Sequence, residues 1–408
     1  MAPSSSALVT VDTATVRLAM AACTFDTITS PAEFELLASE WDSLVRGMHR
    51  PSPFLLHGWL AEWWRHFGAG ARLAVAVARR DGKLVGAAPV FIRRSGGFRV
   101  ARFLGGHESA LADLLLAAGE DESTALGLVQ ELRKQPFDYA DVFGLPAGSA
   151  FSRACGGKLR IVERVEAPVL LMPDGWEAAY AAKTSSKKRN LHRRRLRQLG
   201  EIGEVEFVVG RTREELEPLL EEAFHLHELR WRGRPDGSTF GTATGQMFHR
   251  AAMRRLADDG VLELVLMRVG GRPAAFHYFF ALERTMFVHR LAFDPALARC
   301  SPGLVATLET LRVASEDGLT RVEFLGGDER YKLELADHLE PLYQGFGLGR
   351  NPLGSLAAGQ RLALINVRKT LKRSERLQRL YLNGFGGLKL RGKRAGAAEA
   401  GDSEAHAE

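Results

Sequence analysis

Two stretches of the sequence repeat one pattern, and this repeat restricts the chain to a duplicated fold. Residues 71–94 contain two alternating apolar runs joined by Asp81-Gly82, and residues 261–282 contain two such runs joined by Gly270-Gly271. Runs of this kind, separated by two turn residues, predict β-hairpins. A helix pattern and a further strand pattern follow each hairpin. The sequence therefore predicts an internal duplication with a period of about 190 residues, the distance from residue 71 to residue 261.

Length and composition agree with two domains. A chain of 408 residues is long for a single core. No apolar run reaches the roughly 18 residues that span a bilayer, so no transmembrane segment is predicted. The N-terminus lacks a basic region followed by an apolar core, which argues against a secretory signal. The 3 cysteines are widely spaced and match neither a disulfide framework nor a zinc site. We therefore expect a cytoplasmic protein without a metal.

Residues 286–332 have the order of a ligand-binding unit: strand, loop, helix, strand. Apolar residues recur every three or four positions along 304–316, which predicts a helix that packs on a sheet by one face. This helix begins directly after Gly303, and the first N–H groups of a helix have no intrahelical partner. Because these groups lie at the positive end of the helix dipole, the pattern predicts an anion-binding site there.

Three short motifs in this unit give the chain a family resemblance. They are Ala292-Phe293-Asp294-Pro295, Ser301-Pro302-Gly303 and Gly326-Gly327-Asp328-Glu329-Arg330-Tyr331-Lys332. Preceded by a basic stretch at 187–200, this order resembles the CelD-like acetyltransferases of the GNAT superfamily over roughly residues 25–350. The resemblance implies an α/β fold of mixed sheets with two tandem GNAT-like domains. It also implies an acyltransferase that uses acetyl-CoA or another acyl-CoA.

The resemblance and the free helix start together indicate a donor site. The pyrophosphate of coenzyme A would meet the loop formed by Ser301, Pro302, Gly303 and Leu304, with Arg299 just before it. The broader GNAT pattern places an Arg or Gln three residues before the first of two small residues. Here the spacing differs, and Pro302 has no N–H group to offer. This departure from the GNAT pattern would also suit a donor other than coenzyme A.

Candidate catalytic residues follow the second strand of the unit. An amine acceptor is protonated at neutral pH and needs a base, and Asp328 and Glu329 are the candidates for that role. Tyr331 is the candidate to protonate the leaving thiolate, and Lys332 to bind a phosphate or carboxylate. The alternative is that Glu329 and Lys332 form an ion pair and that Tyr331 closes the loop.

Two histidines are predicted to lie close together on one hairpin. His277 and His289 are on the two arms of a hairpin that turns near Glu283-Arg284. Antiparallel pairing would bring them within one residue of facing each other. Such a pair could relay a proton, so His289 is also a catalytic candidate. Core histidines bonded to the backbone are the equal alternative.

The sequence predicts a division into five segments. They are a disordered N-terminus, a degenerate GNAT-like domain, an acyl-CoA-binding GNAT-like domain, a basic amphipathic helix and a disordered tail, at residues 1–21, 22–172, 173–350, 351–382 and 383–408. Within the second domain, residues 183–199 are predicted to form a basic helix without a carboxylate. Basic clusters of this kind attract the phosphates of a cofactor, of RNA or of an anionic membrane.

We predict a transferase that moves an acyl group from acyl-CoA to an amine or hydroxyl. The CelD-like resemblance suggests a small-molecule or cell-envelope acceptor, for example in exopolysaccharide metabolism. The alternative is a Fem-type transferase, which has the same duplicated fold but takes its acyl group from aminoacyl-tRNA; residues 183–199 would then bind tRNA. A third interpretation is a non-catalytic scaffold that contacts a membrane surface through the basic residues 355–394.

Overall fold

The computed structural model describes residues 23–120, 122–232, 238–327, 329–349, 352, 354–360 and 363. The predicted disordered ends, most of the predicted basic C-terminal helix and Asp328 lie outside these residues. Within the described part of the chain, no helix is both long enough and apolar enough to cross a membrane.

Short strands and helices alternate along the chain in the order expected for an α/β fold. The strands are β1 Thr24–Ile28, β2 Ala71–Arg80, β3 Lys83–Ser95, β4 Phe98–Phe103, β5 Leu115–Leu116, β6 Tyr139–Pro146, β7 Leu159–Val165, β8 Pro168–Leu171, β9 Val205–Gly210, β10 Leu262–Val269, β11 Arg272–Leu282, β12 Thr285–Phe293, β13 Arg321–Glu323, β14 His338–Leu339 and β15 Leu342–Gly347. The helices are α1 Pro31–Glu35, α2 Ala38–Arg46, α3 His57–Phe67, α4 Glu122–Arg133, α5 Ala150–Cys155, α6 Trp176–Lys183, α7 Ser186–Ile202, α8 Arg213–Trp231, α9 Ala243–Ala257, α10 Pro302–Glu316 and α11 Arg330–Leu335.

The two sheets have matching strand orders. The first runs β1-β2-β3-β4-β6-β15-β7, with β5 paired to β3, and the second runs β9-β10-β11-β12-β13-β8-β14 when it is read in the corresponding direction. In both sheets the first four strands are antiparallel, and the fourth then pairs in parallel with the fifth, as β4 with β6 and β12 with β13. The predicted duplication into two tandem GNAT-like units of mixed α/β structure is confirmed.

Each half of the chain contributes one strand to the sheet of the other half. β8 follows β7 in the chain but lies in the second sheet between β13 and β14. β15 follows β14 but lies in the first sheet between β6 and β7. The structure therefore differs from the predicted division at residue 172, because backbone pairing and not chain order decides which sheet a strand joins.

One apolar core joins the two halves. It contains Trp41 and Trp59 from the first half and Phe248, Tyr278 and Phe287 from the second. The first-half helices α2 and α3 and the second-half helices α8 and α9 thus share a layer between the two sheets. The opposite face of the second sheet packs on α6, α7 and α10. This arrangement gives the second sheet one face that is covered by its own half and another face that is partly covered by the first half.

The exchanged strand β8 provides a matched pair of positions for testing how much the exchange stabilises the fold. Leu170 is fully buried, whereas its neighbour Leu171 is 40% exposed on the same strand. Leu170→Ala should lower the free energy of unfolding by about 2–5 kcal/mol through lost burial and a cavity. Leu171→Ala should change it by less than about 1 kcal/mol. Urea denaturation followed by circular dichroism measures both, and equal losses in the two variants would contradict a packed exchange strand.

Candidate active site

The parallel strands β12 and β13 pair at one end and then separate. They are paired from Thr285 with Arg321 to Phe287 with Glu323, although β12 continues to Phe293. Beyond Glu323 the backbone follows β8 instead, since the Phe324 N–H donates to the carbonyl of Pro168 at 3.0 Å. The edge of β12 beyond Phe287 therefore faces an opening between the two strands.

The helix α10 begins beside this opening. Asp294 accepts a hydrogen bond from the Ala296 N–H at 2.9 Å and starts the turn that leads to the helix. Ser301 adopts a left-handed conformation, with φ 53° and ψ 53°, directly before Pro302 at the first helical position. The first hydrogen bond back to the loop runs from the Val305 N–H to the Ser301 carbonyl at 3.2 Å. Helix geometry therefore leaves the N–H groups of residues 303 and 304 for a ligand.

Gly303 lies against the ring of Phe293. A Cβ atom at this position would come within 3.0 Å of Phe293 Cδ1, which is tighter than ordinary van der Waals contact. The glycine therefore allows the start of α10 to approach the end of β12. This close approach keeps the free N–H groups of the helix next to the opening.

A hydrogen-bond network connects the start of α10 to the strand and to the following loop. The Thr307 hydroxyl donates to the Gly303 carbonyl at 2.8 Å, and His277 Nε2 lies 3.2 Å from the same hydroxyl. Because Thr307 gives its single proton to the carbonyl, His277 Nε2 must carry the hydrogen that it shares with Thr307. Burial raises the pKa of Tyr331, and the nearby Thr307 side chain acts in the opposite direction. The strand β11, the helix α10 and the loop after β13 therefore meet around Thr307.

The charged candidates of the loop after β13 are paired with each other. Lys332 is buried, and its Nζ lies 2.8 Å from Glu329 Oε2 and 3.3 Å from the Gly326 carbonyl. This contact is the ion pair that the sequence left open as an alternative. Burial, together with the negative charge of Glu329, raises the pKa of Tyr331 above its usual value. Tyr331 is therefore protonated at neutral pH.

The basic helix α7 runs beside the donor loop. Ser185 caps it by accepting a hydrogen bond from the Lys188 N–H at 3.3 Å. Arg195 donates to the backbone carbonyl of Arg299, whose own side chain is exposed. Other basic side chains of α7 face solvent, namely Lys187, Arg193, Arg194 and Arg197. Positive charge therefore lies next to the start of α10.

His289 lies on the opposite face of the sheet from this network. Tyr278 pairs with Arg290 and Phe279 pairs with Val288, so His289 is the extra residue of a β-bulge. Its ring packs against Trp59 at 5.3 Å between centroids, whereas His277 contacts α10. The predicted His277–His289 relay is therefore wrong, because the bulge and the alternation of the strands send the two rings to different faces.

His289 instead belongs to a buried polar cluster that crosses between the halves. The Arg290 guanidinium binds Glu108 Oε2 at 2.8 Å, and His249 Nε2 of α9 lies 3.3 Å from the same oxygen. Burial would raise the pKa of Glu108, but the charge of Arg290 and the contact with His249 keep it well below its usual range. Burial lowers the pKa of both His249 and His289. The cluster therefore contains an ionised carboxylate and neutral imidazoles.

Long-range contacts explain which site residues the sequence did not reveal. Thr307 lies four residues after Gly303, so the sequence predicted its position on α10. The sequence did not reveal its hydrogen bonds to Gly303 and His277. Glu108 is buried although it lies in a short loop segment directly after His107, which is exposed, and no motif marks it in the sequence. His249 had no local signal, since its partners come from the first half and from the bulge.

The comparisons with known proteins agree with this geometry. Residues 186–333 match the family model described as "Acetyltransferase (GNAT) domain". This range begins with α7 and ends within α11, so it contains the donor loop, the opening and the predicted catalytic residues of the second half. The protein is thus of the duplicated α/β class, and a large part of its second half matches the model of a GNAT acetyltransferase domain. The CelD-like branch stays a prediction.

Solved structures of similar fold span nearly the whole described chain. FemX matches with a TM-score of 0.57 at 11% identity, covering 82% of this chain and 100% of that chain. The C-terminal domain of a putative lysylphosphatidylglycerol synthetase from Agrobacterium fabrum matches with a TM-score of 0.52 at 13% identity, covering 83% and 96%. At this identity the likeness concerns the fold alone. No curated protein matches the sequence significantly.

The buried histidines predict a pH-dependent stability. Burial, with a smaller effect of the Lys332 charge, lowers the pKa of His277 to about 3. Below the ordinary pKa of about 6.5 the unfolded chain binds a proton that the folded chain excludes, so stability falls as the pH decreases from about 6.5 towards 3. His277→Gln should reduce this slope by about 1.4 kcal/mol per pH unit.

Urea titrations between pH 7 and pH 5 measure the slope for each variant. His225→Gln removes an exposed histidine of α8 and serves as the control. It should leave the slope unchanged. Equal slopes for His277→Gln and the wild-type protein would contradict a neutral His277 in the folded state.

Proposed function

We propose that the protein is an acyltransferase that moves an acetyl or other acyl group from acyl-CoA to an amine or hydroxyl acceptor. The observation that supports this proposal most directly is the separation of β12 from β13 after Phe287 and Glu323, next to the free start of α10. An opening of this kind gives a thioester access to unpaired backbone N–H groups. A helix start beside it suits the phosphates of the donor.

The donor is proposed to bind along the second half. Its pyrophosphate would accept hydrogen bonds from the N–H groups of Gly303 and Leu304, with Ser301 and Pro302 shaping the turn. Arg299 and the basic helix α7 would add positive charge around the phosphates. The pantetheine arm would then pass between β12 and β13, which brings the thioester to the opening.

The chemistry then needs an oxyanion site, an acid and a base. Backbone N–H groups of the free edge of β12 would stabilise the oxyanion that forms when the acceptor attacks the thioester carbonyl. Tyr331 would protonate the leaving thiolate, for which its raised pKa keeps the proton in place. Lys332 would bind a phosphate or orient Glu329, with which it pairs.

The acceptor is proposed to enter from the face that carries His289. This ring is partly exposed, and its neutral form could accept the acceptor's proton. Glu329 and Asp328 remain the proposed bases on the donor side. We further propose a cytoplasmic enzyme whose acceptor is a small molecule or a precursor of the cell envelope or of an exopolysaccharide, with residues 355–394 contacting a membrane surface.

A Fem-type transferase is the second candidate, because exposed positive charge extends along α7 beside the donor loop. Lys187, Arg193, Arg194 and Arg197 face solvent along its length. A row of exposed basic side chains beside the donor loop would suit the backbone of an aminoacyl-tRNA. The two candidates differ in the donor: the acyl group at the opening would come either from acyl-CoA or from aminoacyl-tRNA.

Substitution of Tyr331 tests the proposed acid. Tyr331→Phe should lower kcat at least about tenfold while KM for acetyl-CoA stays similar, because the lost proton is needed only as the thiolate leaves. Thiol release from acetyl-CoA, measured with a panel of amines and hydroxyl compounds, provides the rate. Tyr343→Phe on β15 removes a hydroxyl from the first sheet and should keep the wild-type rate. Equal rates in all three proteins would remove Tyr331 from the mechanism.

Calorimetric titration with acetyl-CoA tests the donor site. Gly303→Ala should weaken binding at least about tenfold, because the added methyl group meets Phe293 and shifts the start of α10. Gly200→Ala adds the same group to α7, where a Cβ atom meets nothing within 4 Å, and should bind normally.

The same titration separates the candidate functions. Absence of heat with acetyl-CoA, together with salt-sensitive binding of charged tRNA that is lost in an Arg193→Ala, Arg194→Ala and Arg197→Ala variant, would favour the Fem-type reaction. Binding of neither donor, together with membrane association that depends on residues 355–394, would favour the non-catalytic scaffold.

A further inference from the structure

Three side chains of types that commonly bind metal ions meet at the contact between the halves, although they come from distant parts of the chain. Glu108 comes from the loop after β4, His249 from α9 and His289 from the bulge of β12. One carboxylate oxygen and one nitrogen from each imidazole all lie within 4.8 Å of one another. Among the described residues, this is the only group of three or more such side chains whose ligand atoms converge in this way.

Several polar atoms of this cluster are buried without a hydrogen bond. They are Glu108 Oε1, both ring nitrogens of His249, His289 Nε2 and the Tyr278 hydroxyl oxygen. His249 Nε2 approaches Glu108 Oε2 to 3.3 Å, but the two atoms are not aligned for a hydrogen bond. Buried polar atoms in folded proteins nearly always have a partner, and a bound ion is one of the partners that the protein alone does not provide. The aromatic rings around the cluster offer none.

We propose that Glu108, His249 and His289 bind a divalent first-row transition metal ion, with zinc as the best match. Two imidazole nitrogens and one carboxylate oxygen form a donor set that suits zinc and its neighbours, and three protein ligands leave a position for a further ligand. Bond lengths of about 2.0–2.2 Å require the three donor atoms to draw together slightly from their present spacing. His289 is only partly buried, whereas Glu108 and His249 are buried, so an ion and a fourth ligand would enter from the side of His289.

Arg290 supports the carboxylate in this arrangement. It binds Glu108 Oε2 at 2.8 Å, which leaves Oε1 for the metal and fixes the orientation of the carboxylate. Ligating carboxylates commonly have such a second contact. The guanidinium also adds a positive charge, so a bound dication needs an anionic fourth ligand. A hydroxide ion or an ionised acceptor oxygen on the open side of His289 would supply it.

The proposed site goes beyond the acyltransferase function and does not depend on it. It would tie the first half to the second through Glu108, and it would place a Lewis acid on the face where the acceptor is proposed to enter. His289 would then act as a ligand, and the metal would lower the pKa of the acceptor in its place. The sequence predicted a protein without a metal, because the spacing of its cysteines matches no zinc site. The site proposed here contains no cysteine.

Metal content of the purified chain provides the first test. The full-length protein, purified without chelator and with any affinity tag removed, should retain about one zinc ion per chain in elemental analysis. Glu108→Gln and His249→Ala should each weaken zinc binding at least about 100-fold in competition with a coloured chelator. His107→Ala, an exposed histidine beside Glu108, should bind zinc as the wild type does. Equal zinc affinity in all four proteins would overturn the proposal.

Cobalt substitution and thermal unfolding provide readouts that are independent of enzyme activity. Co²⁺ added to the metal-free protein should give visible absorption bands of a four-coordinate site, and these bands should be absent in His289→Asn. Zinc should raise the Tm of the wild-type protein and leave that of Glu108→Gln unchanged. If the cluster is held by Arg290 alone, Glu108→Gln will lower the Tm equally with and without a chelator, and no cobalt bands will form. That result would refute the metal site even if one variant fails to fold.

Discussion

β13, the strand from which β12 separates, is held on its other side by the strand that the first half inserts. β8 pairs with β13 along its whole length, and its hydrogen bonding continues to Phe324 after β12 has stopped pairing. β13 lies between β8 and β12, so its pairing with β8 keeps it in the sheet where β12 has left it. One side of the opening is therefore fixed by a strand of the first half, and neither half contains the complete arrangement alone.

The opening connects two chemically different faces of the second sheet. On the α10 face, Thr307 hydrogen-bonds to the Gly303 carbonyl and to His277, beside the free N–H groups of the helix and near Tyr331. On the other face, Glu108 brings a buried negative charge from the first half. In the proposed reaction the first half would have a chemical role, because it completes the face from which the acceptor is proposed to approach.

Local rules predicted well where local contacts decide the structure. The basic helix predicted at 183–199 forms as α7, Ser186–Ile202, with Ser185 as its cap. Both predicted hairpins form, and α10 begins at Pro302, two residues before the predicted start at Leu304. The rules were wrong for the pair His277 and His289, because one inserted residue in the bulge changes the face to which the following side chains point. Counting residues along two antiparallel strands does not reveal such an inserted residue.

The sequence by itself determined the duplicated α/β fold, the position of most helices and strands, the free start of α10 and the basic character of α7, because turn chemistry, helix caps and apolar periodicity act within a few residues. Tertiary structure alone decided the strand exchange, the length over which β12 and β13 pair, and the meeting of Glu108, His249 and His289. These features depend on which backbone edges and which buried polar groups find partners after the chain has packed, and such partners are distant in sequence.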